Sequence, residues 1–116
     1  MVLRSDIESR YRAVVHELQR AAVVLHVLHH ASLEPVHGAW MSAELARHGY
    51  DLSPGTLYPT LHRMERDGLL TSERVVVQGR TRRDYRATSA GLAALEDGRR
   101  AARELADEIL PKEDRP

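Results

Sequence analysis

Leu52-Ser53-Pro54-Gly55-Thr56-Leu57-Tyr58-Pro59-Thr60-Leu61-His62-Arg63-Met64-Glu65-Arg66-Asp67-Gly68 is the stretch that decides the fold of this 116-residue chain. Ser53 is a residue type that caps helix N-termini, and Pro54 suits the first helical position, where its missing N–H would have no partner anyway. Leu57, Leu61 and Met64 then fall at i, i+4 and i+7, one inward face of a helix that Gly68 ends. Thr56, Pro59 and Arg63 lie off that stripe and face outward. Upstream, His37–His48 reads as a short helix with Met41, Leu45 and Ala46 inward, closed by Gly49. Two short helices joined by a tight turn at Gly49–Leu52 are a helix-turn-helix signal.

Working outward, Leu69–Val77 is β-rich, a turn at Gln78-Gly79-Arg80-Thr81 follows, and Arg82–Ala87 alternates Arg83, Tyr85 and Ala87 with Asp84 and Arg86. That pattern predicts a hairpin with a basic tip. Thr88 then caps a helix to about Leu110, with Leu92, Leu95, Ala102, Ala106 and Ile109 at heptad steps, Arg99 in the seam and Gly98 beside it. At the other end, Ile7, Tyr11, Val14, Leu18, Ala21, Leu25 and Leu28 alternate steps of four and three with no Pro or Gly between them. Ser5 is the natural cap of this helix, which either runs unbroken or divides near Arg20. Val15, Val23, Val24 and Val27 widen its apolar face, so the second half enters the core while the first half packs on a partner subunit.

The expected fold is therefore mainly α with a small β-hairpin, an α+β winged helix-turn-helix with dimerisation helices at both ends. Residues 1–31 form the N-terminal helix, serving dimerisation and core, and 32–88 the winged helix-turn-helix. Residues 89–110 form the C-terminal dimerisation helix, and 111–116 a frayed tail.

Composition narrows the function. Hydrophobic residues are 42% and charged residues 29%, which excludes disorder, whereas aromatics are only 4% with no Phe, so the core is aliphatic. There is no cysteine, which excludes disulfides and thiolate metal sites and fits a cytoplasmic protein. Charges interrupt residues 1–20 at Arg4, Asp6, Glu8, Arg10, Arg12 and Glu17, so neither a signal peptide nor a membrane span is expected. The formal net charge is zero, but residues 53–86 hold seven arginines against four acids, and both flanks are net acidic. A localised basic surface is what phosphate binding needs. No glycine-rich phosphate loop, nucleophile elbow or HExxH motif is present, so no enzyme, catalytic residue or cofactor is expected.

In a helix-turn-helix the N-terminal residues of the second helix reach bases and phosphates. Here those are Ser53, Thr56, Tyr58, Pro59, His62 and Arg63, with Arg63 either reading a guanine or holding a phosphate. The hairpin adds Arg80, Arg82 and Arg83 for a neighbouring backbone or minor groove. The partner these residues fit is double-stranded DNA, met by a homodimer joined through Ile7, Tyr11, Val14, Leu18, Leu92, Leu95, Ala102 and Ile109.

The run His37-Gly38-Ala39-Trp40, Glu44-Leu45, Leu52 through Pro59, Leu61, Arg63-Met64-Glu65 and Gly68-Leu69-Leu70 resembles the PadR family of transcriptional regulators, as does Tyr85-Arg86-Ala87-Thr88 with Gly91. The likeness spans residues 20–95 and points to the subgroup with one terminal helix. It implies a winged-helix repressor that dimerises through its C-terminal helix and is released by a small phenolic or lipophilic molecule. It maps Tyr58 and the Ser53–Thr56 turn onto the start of the recognition helix, and Arg80–Arg83 onto the wing.

Two further clusters carry open alternatives. Trp40, the sole Trp, either packs between the second helix and the dimer helices or lines an effector cavity, with Met41 and Leu95 as companions. His26, His29 and His30 stand at i, i+3 and i+4, a spacing that shares a metal face, yet the segment shows no fourth ligand and no metal is expected. A metal-responsive repressor using these histidines, or a winged helix that contacts only proteins, are the alternative functions.

Overall fold

The apolar stripe that begins at Ile7 does not break near Arg20. The computed structural model describes residues 4–114 and carries one continuous helix, α1 (Arg4–Leu33). Thirty residues at helical rise make it about 45 Å long. The helix is already formed at Arg4, so Ser5 lies within it and is not its cap. Residues 1–3 and, from the expected frayed tail, 115 and 116 lie outside the described residues; Lys112–Asp114 form one 3-10 turn.

α2 (Gly38–Arg47) and α3 (Pro54–Arg66) are the two helices of the helix-turn-helix. Both close in the same way. Gly49 N–H donates to the Ala46 carbonyl at 3.0 Å and Tyr50 N–H to that of Leu45 at 2.9 Å; Gly68 and Leu69 repeat the pair on Glu65 and Met64. This cap satisfies carbonyls that the helix end would otherwise leave open.

β2 (Leu70–Val77) and β3 (Arg80–Ala87) form the hairpin. Its turn is shorter than the sequence suggests. Val77 pairs with Arg80, leaving only Gln78 and Gly79 at φ 52° and 77°. Two successive positive φ angles make a type I′ turn, whose twist matches the strands it joins, so Arg80 and Thr81 are strand residues. A third strand that the sequence did not announce, β1 (Val36–His37), pairs antiparallel with β3, Val36 opposite Tyr85 and His37 opposite Asp84, giving the order β1-β3-β2.

α4 (Ser89–Ile109) starts as expected, with Thr88 Oγ1 accepting the Gly91 N–H at 3.0 Å. Gly98 is not an imperfection of the α4 seam: a Cβ there would run into the Leu25 methyls, so glycine lets the two helices cross closely. One aliphatic core gathers every element: Val23, Val27, Leu28 and Ala31 of α1, Val36, Met41, Leu45, Leu57, Leu61, Met64, Leu70, Leu95, and Tyr85 as its one aromatic. Among the described residues no helix is long and apolar enough to cross a membrane.

Candidate nucleic-acid interface

The core holds α3 by Leu57, Leu61 and Met64, all buried, and this fixes which side chains are left outside. Ser53, Thr56, Tyr58, Pro59, His62 and Arg63 are all exposed. They divide between two flanks. Tyr58 and His62 face the hairpin across a cleft of about 680 Å³, also bordered by His37, Arg80, Arg82 and Arg83. Thr56, Pro59 and Arg63 line a hollow of about 320 Å³ toward α1, together with Arg20. Arg20 was not among the expected contacts, because only the fold brings it beside Arg63.

Two local features of α3 break ordinary helix rules. Ser53 occupies the cap position and its carbonyl accepts from Thr56 and Leu57 N–H, but its hydroxyl makes no cap bond. Ser53 Oγ stands 3.3 Å from Thr56 Oγ1 instead, so the predicted side-chain cap is absent. Pro59 sits inside the helix, where it can donate no bond to the Gly55 carbonyl. Since Pro54 has no N–H and the Ser53 carbonyl holds those of Thr56 and Leu57, the groups of the first turn left without a helical partner are the N–H and carbonyl of Gly55.

Tyr58 owes its position to a glycine. A Cβ on Gly38 would stand 2.5 Å from the Tyr58 Cε1, so the ring lies directly on the start of α2. The arginines of the hairpin are less alike than the sequence implied. β1 covers only Asp84 and Tyr85 of β3, so the β3 edge from Arg80 to Arg83 is open and borders the cleft. Arg80 is exposed beside the turn. Arg82 Nε donates to Asp84 Oδ1 at 2.9 Å. Arg83 Nη1 donates to Ser72 Oγ at 3.0 Å, and that hydroxyl donates to Glu65 Oε2 at 2.8 Å, tying the wing to the end of α3. The register also sets Arg74 directly across from Arg83. Like charges so paired repel unless an anion shares them, which marks Arg74 as a further candidate contact. Tyr85 is buried below this pair, and burial, with Glu65 adding to it, pushes its phenol above the ordinary range.

α1 carries four histidines; of the three expected as a group, His29 and His30 still meet edge-on at 4.9 Å, but they differ in what else they touch. His29 is exposed and turns to α4, its Nδ1 3.5 Å from Arg99 Nη2. His26 and His30 turn to α2 instead. His30 Nε2 lies 3.4 Å, and His48 Nε2 3.1 Å, from the same Oε2 of Glu44. The other oxygen of Glu44 accepts from Arg47 Nη1 at 2.7 Å. The His26 ring stands 4.8 Å from that of His48 and 5.2 Å from that of Tyr50. Burial, then the neighbouring imidazoles, hold His26 below the ordinary histidine range; burial and His29 do the same to His30, while Glu44 opposes both shifts. Glu44 itself would be raised by desolvation, but the His48 hydrogen bond, Arg47 and His30 outweigh that and keep its carboxyl low. Glu44 and His48 were not foreseen, since nothing local in the sequence ties them to α1.

Trp40 is 40% exposed and meets His30 edge-on at 5.2 Å, whereas Met41 and Leu95 are 0% and 4% exposed. Met41 and Leu95 fill the core, so the three line no common cavity. Leu95 also offers little surface to a partner subunit. The other expected interface residues are free: Ile7, Tyr11, Val14, Leu18, Leu92 and Ile109 are between 48% and 70% exposed, and Ala102 is exposed too. A groove of about 380 Å³ between α1 and α4 joins Leu18, Ala21, Leu25, Ala102, Leu105 and Ile109 into one apolar face.

Residues 27–97 match the transcriptional regulator PadR-like family. Transcriptional regulator Rv3488 of Mycobacterium tuberculosis (strain ATCC 25618 / H37Rv) is 67% identical over 96 residues, 83% of this chain and 90% of its own length. The crystal structure of a PadR family transcriptional regulator from Eggerthella lenta DSM 2243 superposes with a TM-score of 0.75 at 33% identity, covering 89% of this chain and 91% of that one. A PadR-like transcriptional regulator from Bacillus cereus strain ATCC 14579 gives a TM-score of 0.73 at 26% identity, covering 80% and 92%.

Proposed function

The chain belongs to the PadR-like family of transcriptional regulators, not to a family of enzymes, and from that membership we propose that it is a cytoplasmic repressor that binds an inverted DNA repeat as a homodimer. The observation that carries this reading is the cleft between α3 and the hairpin, where Tyr58 and His62 face Arg80, Arg82 and Arg83. A recognition helix with an exposed polar face, flanked by arginines on both sides, fits a major groove and its bordering phosphates. Tyr58, Pro59 and His62 meet base edges; Ser53, Thr56, Arg63 and Arg20 hold one backbone; Arg80, Arg82, Arg83 and Arg74 hold the next.

Two copies are joined through the apolar faces of α1 and α4, since Ile7, Tyr11, Val14, Leu18, Leu92, Ala102 and Ile109 are left exposed by their own chain. A symmetric pair sets two recognition helices about one DNA turn apart. A small lipophilic or phenolic effector acts by preferring one spacing of the two wings over another. With Met41 and Leu95 buried in the core, Trp40 is the member of the expected effector trio that remains accessible.

Fluorescence anisotropy with a labelled duplex from upstream of the chain's own gene, in a chelating buffer and against a scrambled duplex, tests this. Sequence-preferring binding that weakens steeply with salt is the expected result. Arg80→Ala with Arg83→Ala should weaken binding to both duplexes and flatten the salt slope by about 1 per arginine. Binding that ignores salt, or none at all to any upstream duplex, would favour a winged helix that contacts only proteins. A second reading, metal-responsive regulation, is favoured by the gathering of His26, His30 and His48 around Glu44.

A further inference from the structure

Two i, i+4 pairs face each other across the packing of α1 on α2. His26 and His30 are one pair, their rings stacked at 6.5 Å with planes 10° apart. Glu44 and His48 are the other, joined through Nε2 and Oε2 at 3.1 Å. Spacing of this kind aims two side chains to one side of a helix, and it is the arrangement by which helices present metal ligands in pairs.

We propose that His26, His30, His48 and Glu44 form a binding site for a divalent transition-metal ion of the zinc type, one that clamps α1 to the helix-turn-helix. The donor set is three imidazole nitrogens and one carboxylate oxygen, a combination that zinc accepts in four-coordinate sites. Ligands at about 2.0–2.1 Å from a tetrahedral ion stand about 3.3 Å from one another. The two distances from Glu44 Oε2, 3.4 Å to His30 Nε2 and 3.1 Å to His48 Nε2, match that spacing. Arg47 engages the other oxygen and so orients Oε2 toward the histidines, the work of a supporting hydrogen bond behind a ligand.

The surroundings suit an ion as well. The Glu44 side chain is 9% exposed and that of His30 18%, so bound metal is shielded from water, while His48 at 46% leaves one side open for it to arrive. Among the described residues no three His, Asp or Glu side chains are already close enough to hold an ion. The metal therefore completes the site by turning the rings of His26 and His48, which already stand 4.8 Å apart. Fixing α2 on the helix that carries the partner-facing stripe sets the angle of α3 to the dimer, so occupancy changes DNA affinity. Only this last consequence rests on the regulator reading.

Cobalt(II) titration of the untagged chain, followed by visible absorption without DNA present, tests the site directly. The expected result is one Co2+ per chain with the intense d–d bands of tetrahedral coordination, displaced by Zn2+. His30→Gln and His48→Gln should each weaken binding at least about tenfold, the smaller loss known for groups that merely support ligands. His48 is half-exposed and its side chain is no part of the aliphatic core, so H48Q keeps its fold, checked by circular dichroism. His62→Gln, on α3 beside the hairpin cleft and away from the cluster, should leave this DNA-free titration unchanged. No tetrahedral bands in the wild type, or bands that survive both H30Q and H48Q, would overturn the assignment. Failure here leaves the chelator-buffered DNA measurement untouched, and failure of DNA binding leaves the cobalt spectrum to stand alone.

Discussion

α1 contains two apolar regions with opposite fates. In its C-terminal half Val23, Val27, Leu28 and Ala31 are between 0% and 5% exposed, packed by α2, the sheet and α4. In its N-terminal half Ile7, Tyr11, Val14 and Leu18 lie on a different stripe, the one that continues through Ala21, Leu25 and Leu28, and they are between 55% and 70% exposed. Periodicity therefore specifies that a face is apolar, not what covers it. The half that meets its own chain is a core; the half that runs past the last packed element is the face on which the proposed dimer rests. α4 repeats the contrast, with Leu95 at 4% exposure near its start and Ile109 at 61% at its end.

The largest expected effect separates the two halves by stability. Leu28→Ala removes a side chain from the centre of the core and should cost about 2–5 kcal/mol in urea unfolding at every protein concentration. Val14→Ala, measured at a dilution where copies separate, should change stability by no more than about 0.5 kcal/mol. Equal losses would mean that the N-terminal half is packed by its own chain after all. Next, Leu18→Asp with Ile109→Asp should give monomers in sedimentation velocity with the helical signal of circular dichroism retained. A dimer that survives this pair would place the interface outside the groove between α1 and α4. The smallest effect concerns α3: Ser53→Ala should cost less than about 0.5 kcal/mol, because no side-chain cap bond is lost. A cost near the usual 1 kcal/mol would restore the cap read from the sequence.

What was legible in the sequence follows from how local each signal is. Pro54, Gly49 and Gly68 mark helix ends by backbone chemistry alone, and the leucine spacing of α3 fixes its inward face, so the helix-turn-helix and its exposed residues could be read directly. β1 could not, because two residues become a strand only by pairing with Tyr85 and Asp84 nearly fifty positions away. The same holds for the site residues that were missed. Arg20 joins Arg63, Arg74 joins Arg83, and Glu44 and His48 join His26 and His30 only once the fold brings them together. Looking along one helix could not show that Glu44 and His48 of α2 and its cap stand beside His26 and His30. Leu95 was misplaced for the opposite reason, since a seam residue looks the same whether its cover comes from α1 or from a partner.

The most direct test of the account is the stoichiometry of the complex between the wild-type chain and a duplex carrying an inverted repeat, measured by sedimentation of labelled DNA. Two chains per duplex, falling to weak single-chain binding when one half-site is scrambled, is the predicted result. One chain per duplex with undiminished affinity, or no complex at low salt, would contradict the claim that paired α3 helices and their arginine flanks read DNA together.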